Sequence, residues 1–362
     1  MTGGGTRDTR FAQDDRNIGG LMHGRADLPA VEVCAYNAEL RDKDGFIGDR
    51  ASKRGFQSIL EEWRDRLRTQ HEDPLGDVST EAIGKKALDK ALAKGEPEAA
   101  GLLLGAVEDF ATELAMIAQR LLRTAGWRGV QRIAVGGGMR ASRTGEIAIG
   151  RASVLLKSRG QKVELRPIKH HPDEAGLMGA AHLVPSWMLA GHDSLLAVDI
   201  GGTNMRVGLV ELNLKEAPDL CAARVMGVRI WRHQNDSPTR DDAVAGLCGM
   251  LDTLIRRAEN DKLHLAPFIG IGCPGVVRKD GGIERGAQNL PGNWQSPEFN
   301  LSRCIIQAVP QIAGQPTSVM LHNDAVIQGL SEVPWMKDIQ RWGILTIGTG
   351  LGNASFANHG IV

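Results

Sequence analysis

Apolar residues recur at helical spacing over residues 52–68, where Phe56, Ile59, Leu60, Trp63 and Leu67 share one face. A second helix is expected over 80–94, opened by Ser79 or Thr80 as a cap and closed by Gly95. A long helix follows over 98–124, with Leu102, Ala106, Phe110, Leu114, Ile117 and Leu121 along its stripe. The period then shortens. Residues 130–135 read as a strand ending in Gly136-Gly137-Gly138, followed by a helix over 147–158, a strand over 163–168 and a Gly- and Ala-rich helix over 174–189. A new block begins near His192. Strands are expected at 195–199, 205–212, 224–231, 268–273, 319–322 and 343–347, with an amphipathic helix over 239–259. Residues 1–30, rich in Gly, Asp, Arg and Asn, lack periodicity and read as a tail or long loop. Strands interleaved with helices predict an α/β protein, and short glycine turns at strand ends are where such sheets bind ligands.

Length and charge narrow the picture. A chain of 362 residues suggests two domains or one large two-lobed fold. Its 43 basic and 43 acidic side chains cancel, so no global field points to nucleic acid or a membrane surface. No apolar run approaches the ~20 residues that cross a bilayer, and the first residues lack a signal-peptide core. Cys34, Cys221, Cys248, Cys273 and Cys304 form no CxxC pair and read as free thiols of a reducing compartment. The expectation is a cytoplasmic protein.

Three glycine turns adjoin strands. In Asp199-Ile200-Gly201-Gly202-Thr203-Asn204-Met205-Arg206, two bare glycines let backbone N–H groups close on an anionic oxygen while the carboxylate faces a metal ion or its water. Gly348-Thr349-Gly350-Leu351-Gly352 follows the same logic, and at Gly136-Gly137-Gly138 the backbone can lie against a planar base. No GxxxxGK[ST] occurs, and neither of the first two turns fits GxGxxG. His322-Asn323-Asp324-Ala325 follows a strand. Asp324 there suits a general base toward a hydroxyl, or equally the N-cap of the helix that follows. Gly272-Cys273-Pro274-Gly275 and Gln288-Asn289-Leu290-Pro291-Gly292-Asn293-Trp294 place amides beside a Trp, which suits a polyol or simple turn chemistry.

Together these segments resemble the ROK family (repressors, open reading frames and sugar kinases) of the hexokinase–actin ATPase superfamily. Residues 199–206 look like its phosphate-1 motif DxGGTxxR, 272–275 and 289–294 like its sugar-side segments, 323–325 like its NDA motif and 348–352 like its phosphate-2 motif GTGxG. Residues 136–138 look like its adenosine glycines, and 173–181 like the small-residue helix that closes its C-terminal lobe. The resemblance covers about 75–362. It implies a two-lobed actin-like ATPase (ribonuclease H-like) fold and transfer of a phosphoryl group from ATP to a sugar hydroxyl, by a homodimer. Asp199, Gly201, Gly202, Thr203, Asn204, Gly348, Thr349, Gly350 and Gly352 would hold Mg²⁺–ATP, with Asp199 meeting the metal through water. Gly137 and Gly138 would flank the adenosine. Asn289 and Asn323 would hold sugar hydroxyls, and Asp324 would accept the proton of the attacking one.

The order of motifs departs from the family. The adenosine glycines and the small-residue helix come first here, and phosphate-2 lies ten residues from the end. The expectation is a circular permutation, with a flexible segment 1–30, a lobe 31–192 matching the usual C-terminal half and a lobe 193–362 matching the usual first half. A piece of a longer tandem protein is the weaker alternative. The family's GExGH and CxCGxxGCxE segments are absent from 1–50, where only His23 and Cys34 occur, so no structural zinc is expected. Glu39 is a candidate for the family's last sugar-binding Glu, against a default as a surface acid. His170 and His171 read as surface or packing residues. The competing functional reading is a sugar-responsive regulator without turnover, although 1–50 shows no helix-turn-helix.

Overall fold

A computed structural model describes residues 22–360 apart from Asp44. Most of the expected tail, 1–21, lies outside the described residues; 22–30 is irregular apart from a one-residue bridge at Asp27 and runs along a strand edge. There the Gly24 N–H donates to the Leu321 carbonyl at 2.9 Å, and the Leu321 N–H donates to His23 Nδ1 at 3.0 Å.

Eight α-helices are found among the described residues: α1 (Lys53–Arg68), α2 (Lys85–Lys94), α3 (Pro97–Leu122), α4 (Arg143–Ser158), α5 (Pro172–Ala180), α6 (Arg240–Asn260), α7 (Leu301–Ala308) and α8 (Asp324–Leu330). The strands in chain order are β1 (Val31–Tyr36), β2 (Arg41–Asp42), β3 (Gly45–Phe46), β4 (Arg132–Gly136), β5 (Glu164–Pro167), β6 (Ser194–Ile200), β7 (Met205–Glu211) and β8 (Arg224–Trp231). They continue with β9 (Leu265–Cys273), β10 (Val276–Val277), β11 (Ile283–Arg285), β12 (Gln311–Ile312), β13 (Gln315–Pro316), β14 (Ser318–Asn323), β15 (Arg341–Ile347) and β16 (Leu351–Asn358).

Two five-stranded mixed sheets organise the molecule, in the orders β1-β16-β15-β4-β5 and β14-β9-β6-β7-β8. Each has the same plan. A central strand pairs antiparallel into a meander on one side and parallel with two strands on the other: β15 with β16 and β1, then β4 and β5; β6 with β7 and β8, then β9 and β14. The second meander is continuous in sequence, whereas the first draws β15 and β16 from one end of the chain and β1 from the other. Val31 faces Asn358, and the His359 N–H donates to the Ala30 carbonyl at 3.1 Å, so the described ends meet.

This pairing puts part of the expected lobe 193–362 into the first sheet. The β15–β16 hairpin lies in the later part of the chain yet belongs to the first sheet, because its backbone partners are β1 and β4.

The apolar core lies in three layers. Between the sheets, α5 and α8 pack on each other, with Leu177, Met178, Val326 and Ile327 meeting Leu195 and Ala197 of one sheet and Ile344 and Phe356 of the other. Their crossing is close: a Cβ on Gly179 would lie 1.7 Å from the Ile327 carbonyl oxygen. On its outer side the first sheet is covered by α1–α4, the second by α6 and α7. No described helix is long and apolar enough to cross a membrane.

Two expected helices are shorter than their patterns. The expected helix over 80–94 opens with a separate 3₁₀ turn at Thr80–Ala82, because Ile83 and Gly84 are extended and α2 begins only at Lys85. The expected helix over 174–189 stops at Ala180 and breaks into 3₁₀ turns, with Val184 extended ahead of Pro185, as a residue preceding proline prefers.

Candidate functional site

Parallel pairing aligns the chemistry. In the second sheet Asp199 sits opposite Gly272, and Gly272 opposite His322, so β6, β9 and β14 end at one edge. That edge carries Asp199, the 273–275 turn and Asn323-Asp324 side by side. In the first sheet Thr346 faces Gly136, which puts the 348–350 turn beside Gly137 and Gly138. Gly137 has φ of +85°, and a Cβ there would lie 2.3 Å from the Ile347 carbonyl oxygen, so only glycine fits between the turns. The two sheets meet where the Thr203 and Thr349 hydroxyls stand 3.2 Å apart.

Asp199 is buried with 4% of its surface exposed. Arg206 Nη1 donates to its Oδ2 at 3.2 Å, and Nη2 of the same guanidinium donates to Asp173 Oδ1, on the first turn of α5, at 2.7 Å. The α5 backbone lies on the carboxylate: a Cβ on Gly176 would be 2.6 Å from Asp199 Cγ. Burial raises the Asp199 pKa, with Arg206 opposing.

Asp324 is half-buried and has no cation bonded to it among the described residues. Its pKa is pushed up to about 7, first by burial and then by the charge of Asp199. The cap of α8 is Asn323, whose side-chain oxygen accepts from the Ala325 N–H at 3.0 Å and the Val326 N–H at 3.3 Å. Asp324 Oδ1 accepts from the Ala325 N–H at 2.9 Å. The Asn323 amide nitrogen donates to the Gly275 carbonyl at 2.9 Å, and the residue is 2% exposed. Both ends of that amide are thus engaged inside the fold, which fixes the position of Asp324 against the 273–275 turn.

A magnesium ion accompanying a nucleotide fits this edge. The buried Asp199 and the half-buried Asp324 repel each other, and Arg206 compensates only Asp199. No group of three or more His, Cys, Asp or Glu gathers among the described residues, so such an ion would rest on Asp199, water and phosphate oxygens, the usual magnesium arrangement.

A cleft of about 300 Å³ opens between the turns and the 288–291 segment, lined by Arg54, Gly202, His233, Gln288, Asn289 and Thr349 among others. Asn289 is exposed, and its Cβ would lie 2.9 Å from a Cβ on Gly202. His233 Nε2 is hydrogen-bonded with the Gly201 carbonyl at 2.9 Å, steadying the first turn. Gly201 N–H donates to the Asn204 carbonyl at 2.9 Å and closes it, leaving Asn204 Oδ1 buried without a partner among the described residues. A Cβ on Gly138 would lie 3.7 Å from Lys85 Nζ. Gly352 stands in β16 opposite Thr346, where a Cβ would meet the threonine hydroxyl at 2.3 Å, so its role is close strand approach.

Other expectations resolve differently. Trp294 is no cleft wall: it is 1% exposed, donates its indole N–H to the Pro291 carbonyl at 2.7 Å and packs edge-on against Phe299, anchoring the turn that presents Asn289. Glu39 is tied to Arg285 at 2.9 Å and Arg41 at 3.1 Å, as a partly exposed surface acid. His170 packs edge-on against Trp335, and His171 accepts from the Asp173 N–H as the cap of α5. Arg54 and Lys85 carry no motif in the sequence: each lies in the first turn of a helix, in a stretch without motif character. Their only signal is position, a cation in the first turn of a helix that follows a glycine or serine.

No family model matches the chain, and no curated protein matches it. Solved structures similar to it include the ROK hexokinase from Thermus thermophilus, at 22% identity over 36% of this chain and 35% of that one, with a TM-score of 0.25. Another is a protein from Cytophaga hutchinsonii whose sugar-kinase designation is itself an inference, at 20% identity over 46% and 48% of the two chains, with a TM-score of 0.34. A third is an exopolyphosphatase from the same organism, at 18% identity over 53% and 55%, with a TM-score of 0.23. The matched parts span about a third to just over half of each of those proteins.

Proposed function

We propose that the chain is an ATP-dependent phosphotransferase of the ROK sugar-kinase type, acting on a hydroxyl of a sugar or related polyol. The observation that carries this reading is convergence: Asp199, Asp324 and two facing glycine turns meet at one edge, and the more exposed carboxylate has a pKa of about 7. A general base works best with a pKa near the operating pH. Asp324 accepts the proton of the attacking hydroxyl as that oxygen bonds to the γ-phosphorus; the bond to the β,γ-bridging oxygen breaks and its electron pair leaves on ADP. Bound magnesium supplies charge neutralisation on the phosphates. Asn323 holds Asp324 in place, Asn289 faces the cleft toward acceptor hydroxyls, and the glycine turns offer backbone N–H groups to phosphate oxygens. The cleft lies between the sheets, where closure excludes water that would otherwise compete as acceptor.

The reading includes a circular permutation of the two-lobed actin-like fold. Supporting it, the two sheets share one strand plan if the first is read from β15 through β16 into β1, across the meeting chain ends. The lobes would then be 28–192 with 341–358, and 193–323.

The test is coupled ADP release with purified protein, Mg²⁺–ATP and a panel of hexoses, amino-sugars and polyols. Turnover that depends on one class of acceptor is the expected result. ATP binding without turnover on any member supports the sensor reading instead.

A further inference from the structure

We propose that Arg54 is the cation that meets the transferring phosphoryl group, a role no motif of the chain assigns; the inference rests on the phosphotransferase reading. Among the described residues lining the cleft, Arg54 is the one lysine or arginine, and it shares the wall with Gly202 and Thr349 of the two glycine turns and with Asn289 opposite. It is exposed and makes no ion pair or hydrogen bond with any described residue. That sets it apart from the arginines around it: Arg50 pairs with Asp42, Arg64 with Asp73, Arg66 with Glu62 and Arg68 with Glu61. A guanidinium left free in a polar cleft is available to an anionic ligand.

Its placement is built, not incidental. Ser52 caps α1 by accepting from the Gly55 N–H at 3.1 Å, and the Lys53 N–H donates to the Gly348 carbonyl at 2.9 Å. The first turn of α1 is therefore fastened to the 348–350 turn, and the backbone of Arg54 follows directly from that tie. On the opposite side Arg206 is committed to Asp199 and Asp173, so it compensates a carboxylate and cannot also serve the phosphoryl oxygens. Phosphoryl transfer spreads negative charge over three equatorial oxygens, and a planar guanidinium can bond two of them at once. Arg54 contacts those oxygens as the acceptor oxygen bonds to phosphorus and the leaving pair passes to ADP. The interaction grows as the transferring group flattens, so it acts on turnover more than on ground-state binding.

The experiment compares wild type, Arg54→Ala, Arg54→Lys and Arg66→Ala, the last a control about three turns further along α1. In the ADP-release assay Arg54→Ala should lower kcat about 10²–10³-fold, with the KM for ATP and for acceptor changed less than about threefold. Millimolar methylguanidinium should restore part of that rate to Arg54→Ala and leave wild type unaffected, which a merely structural role would not do. Arg54→Lys should fall between, and Arg66→Ala should match wild type. Calorimetry with ADP and with ADP plus aluminium fluoride gives a second readout: the tightening caused by fluoride should appear in wild type and vanish in Arg54→Ala. An active wild type whose Arg54→Ala variant keeps its kcat, or changes only a KM, overturns the inference and leaves the phosphotransferase reading standing. A wild type without turnover and without fluoride-dependent tightening overturns the reading, and the role of Arg54 with it.

Discussion

Replacing Asp324 with asparagine separates its role in the fold from its role in chemistry. Burial and the neighbouring Asp199 raise its pKa from 3.8 to about 7. In the unfolded chain the proton leaves near pH 4; in the native protein it is held to near 7. The native state therefore binds more protons between those limits, and stability falls as pH rises through them. At about 1.36 kcal/mol per pH unit, the ionised carboxylate costs up to ~4 kcal/mol by pH 8, lessened where the cleft admits water. Asparagine resembles the neutral acid in shape and carries no charge to bury. Asp324→Asn should thus melt close to wild type at pH 4.5 and several degrees above it at pH 8. The same variant should lose about 10²–10⁴ of turnover. Thermal melts at the two pH values, followed by the ADP-release assay at pH 8, give both readings. Parallel stability differences at the two pH values, or a variant less stable than wild type at pH 8, would refute the account of Asp324 as a raised, uncompensated acid.

Other consequences concern the frame around it. Gly179→Ala should destabilise the protein by roughly 3 kcal/mol, since its methyl would fall 1.7 Å from the Ile327 carbonyl and force α5 from α8; a melting temperature within 1–2 °C of wild type would contradict that packing. Arg206→Met should cost about 3–5 kcal/mol at pH 8 by leaving Asp199 buried and uncompensated, and less as the pH is lowered, because burial already raises the pKa of this carboxyl and protonation removes the buried charge; urea melts at pH 8 and pH 4.5 check the difference.

Much of this arrangement is visible in the residues, for identifiable reasons. β8 matches its pattern, and α6 carries a capping box in which Thr239 and Asp242 satisfy each other, which is why its start reads cleanly. The glycine turns are legible because each follows a buried apolar strand. What periodicity missed are the strands that lack it. β16 is buried on both faces over most of its length, and the strand that β1 pairs with is β16, more than 300 residues away in sequence. Without those two the β15 hairpin looked like part of the later lobe. The role of Asn323 was hidden for a related reason. A cap and a ligand-binding amide use the same residue type, and the bonds to Ala325, Val326 and Gly275 are what reveal the cap. Arg54 left no trace beyond its place in a first turn, because its meaning depends on a cleft formed with residues about 150–300 positions away.

The central claim is transfer of a phosphoryl group to a carbon-bound hydroxyl. Phosphorus NMR of a reaction holding the protein, Mg²⁺–ATP and the acceptor that best releases ADP tests it most directly. The account predicts that the γ resonance of ATP is replaced one for one by a phosphomonoester resonance coupled to a sugar proton, and that Asp324→Asn suppresses both changes. Inorganic phosphate as the only product, or ATP left intact with every acceptor, would contradict it.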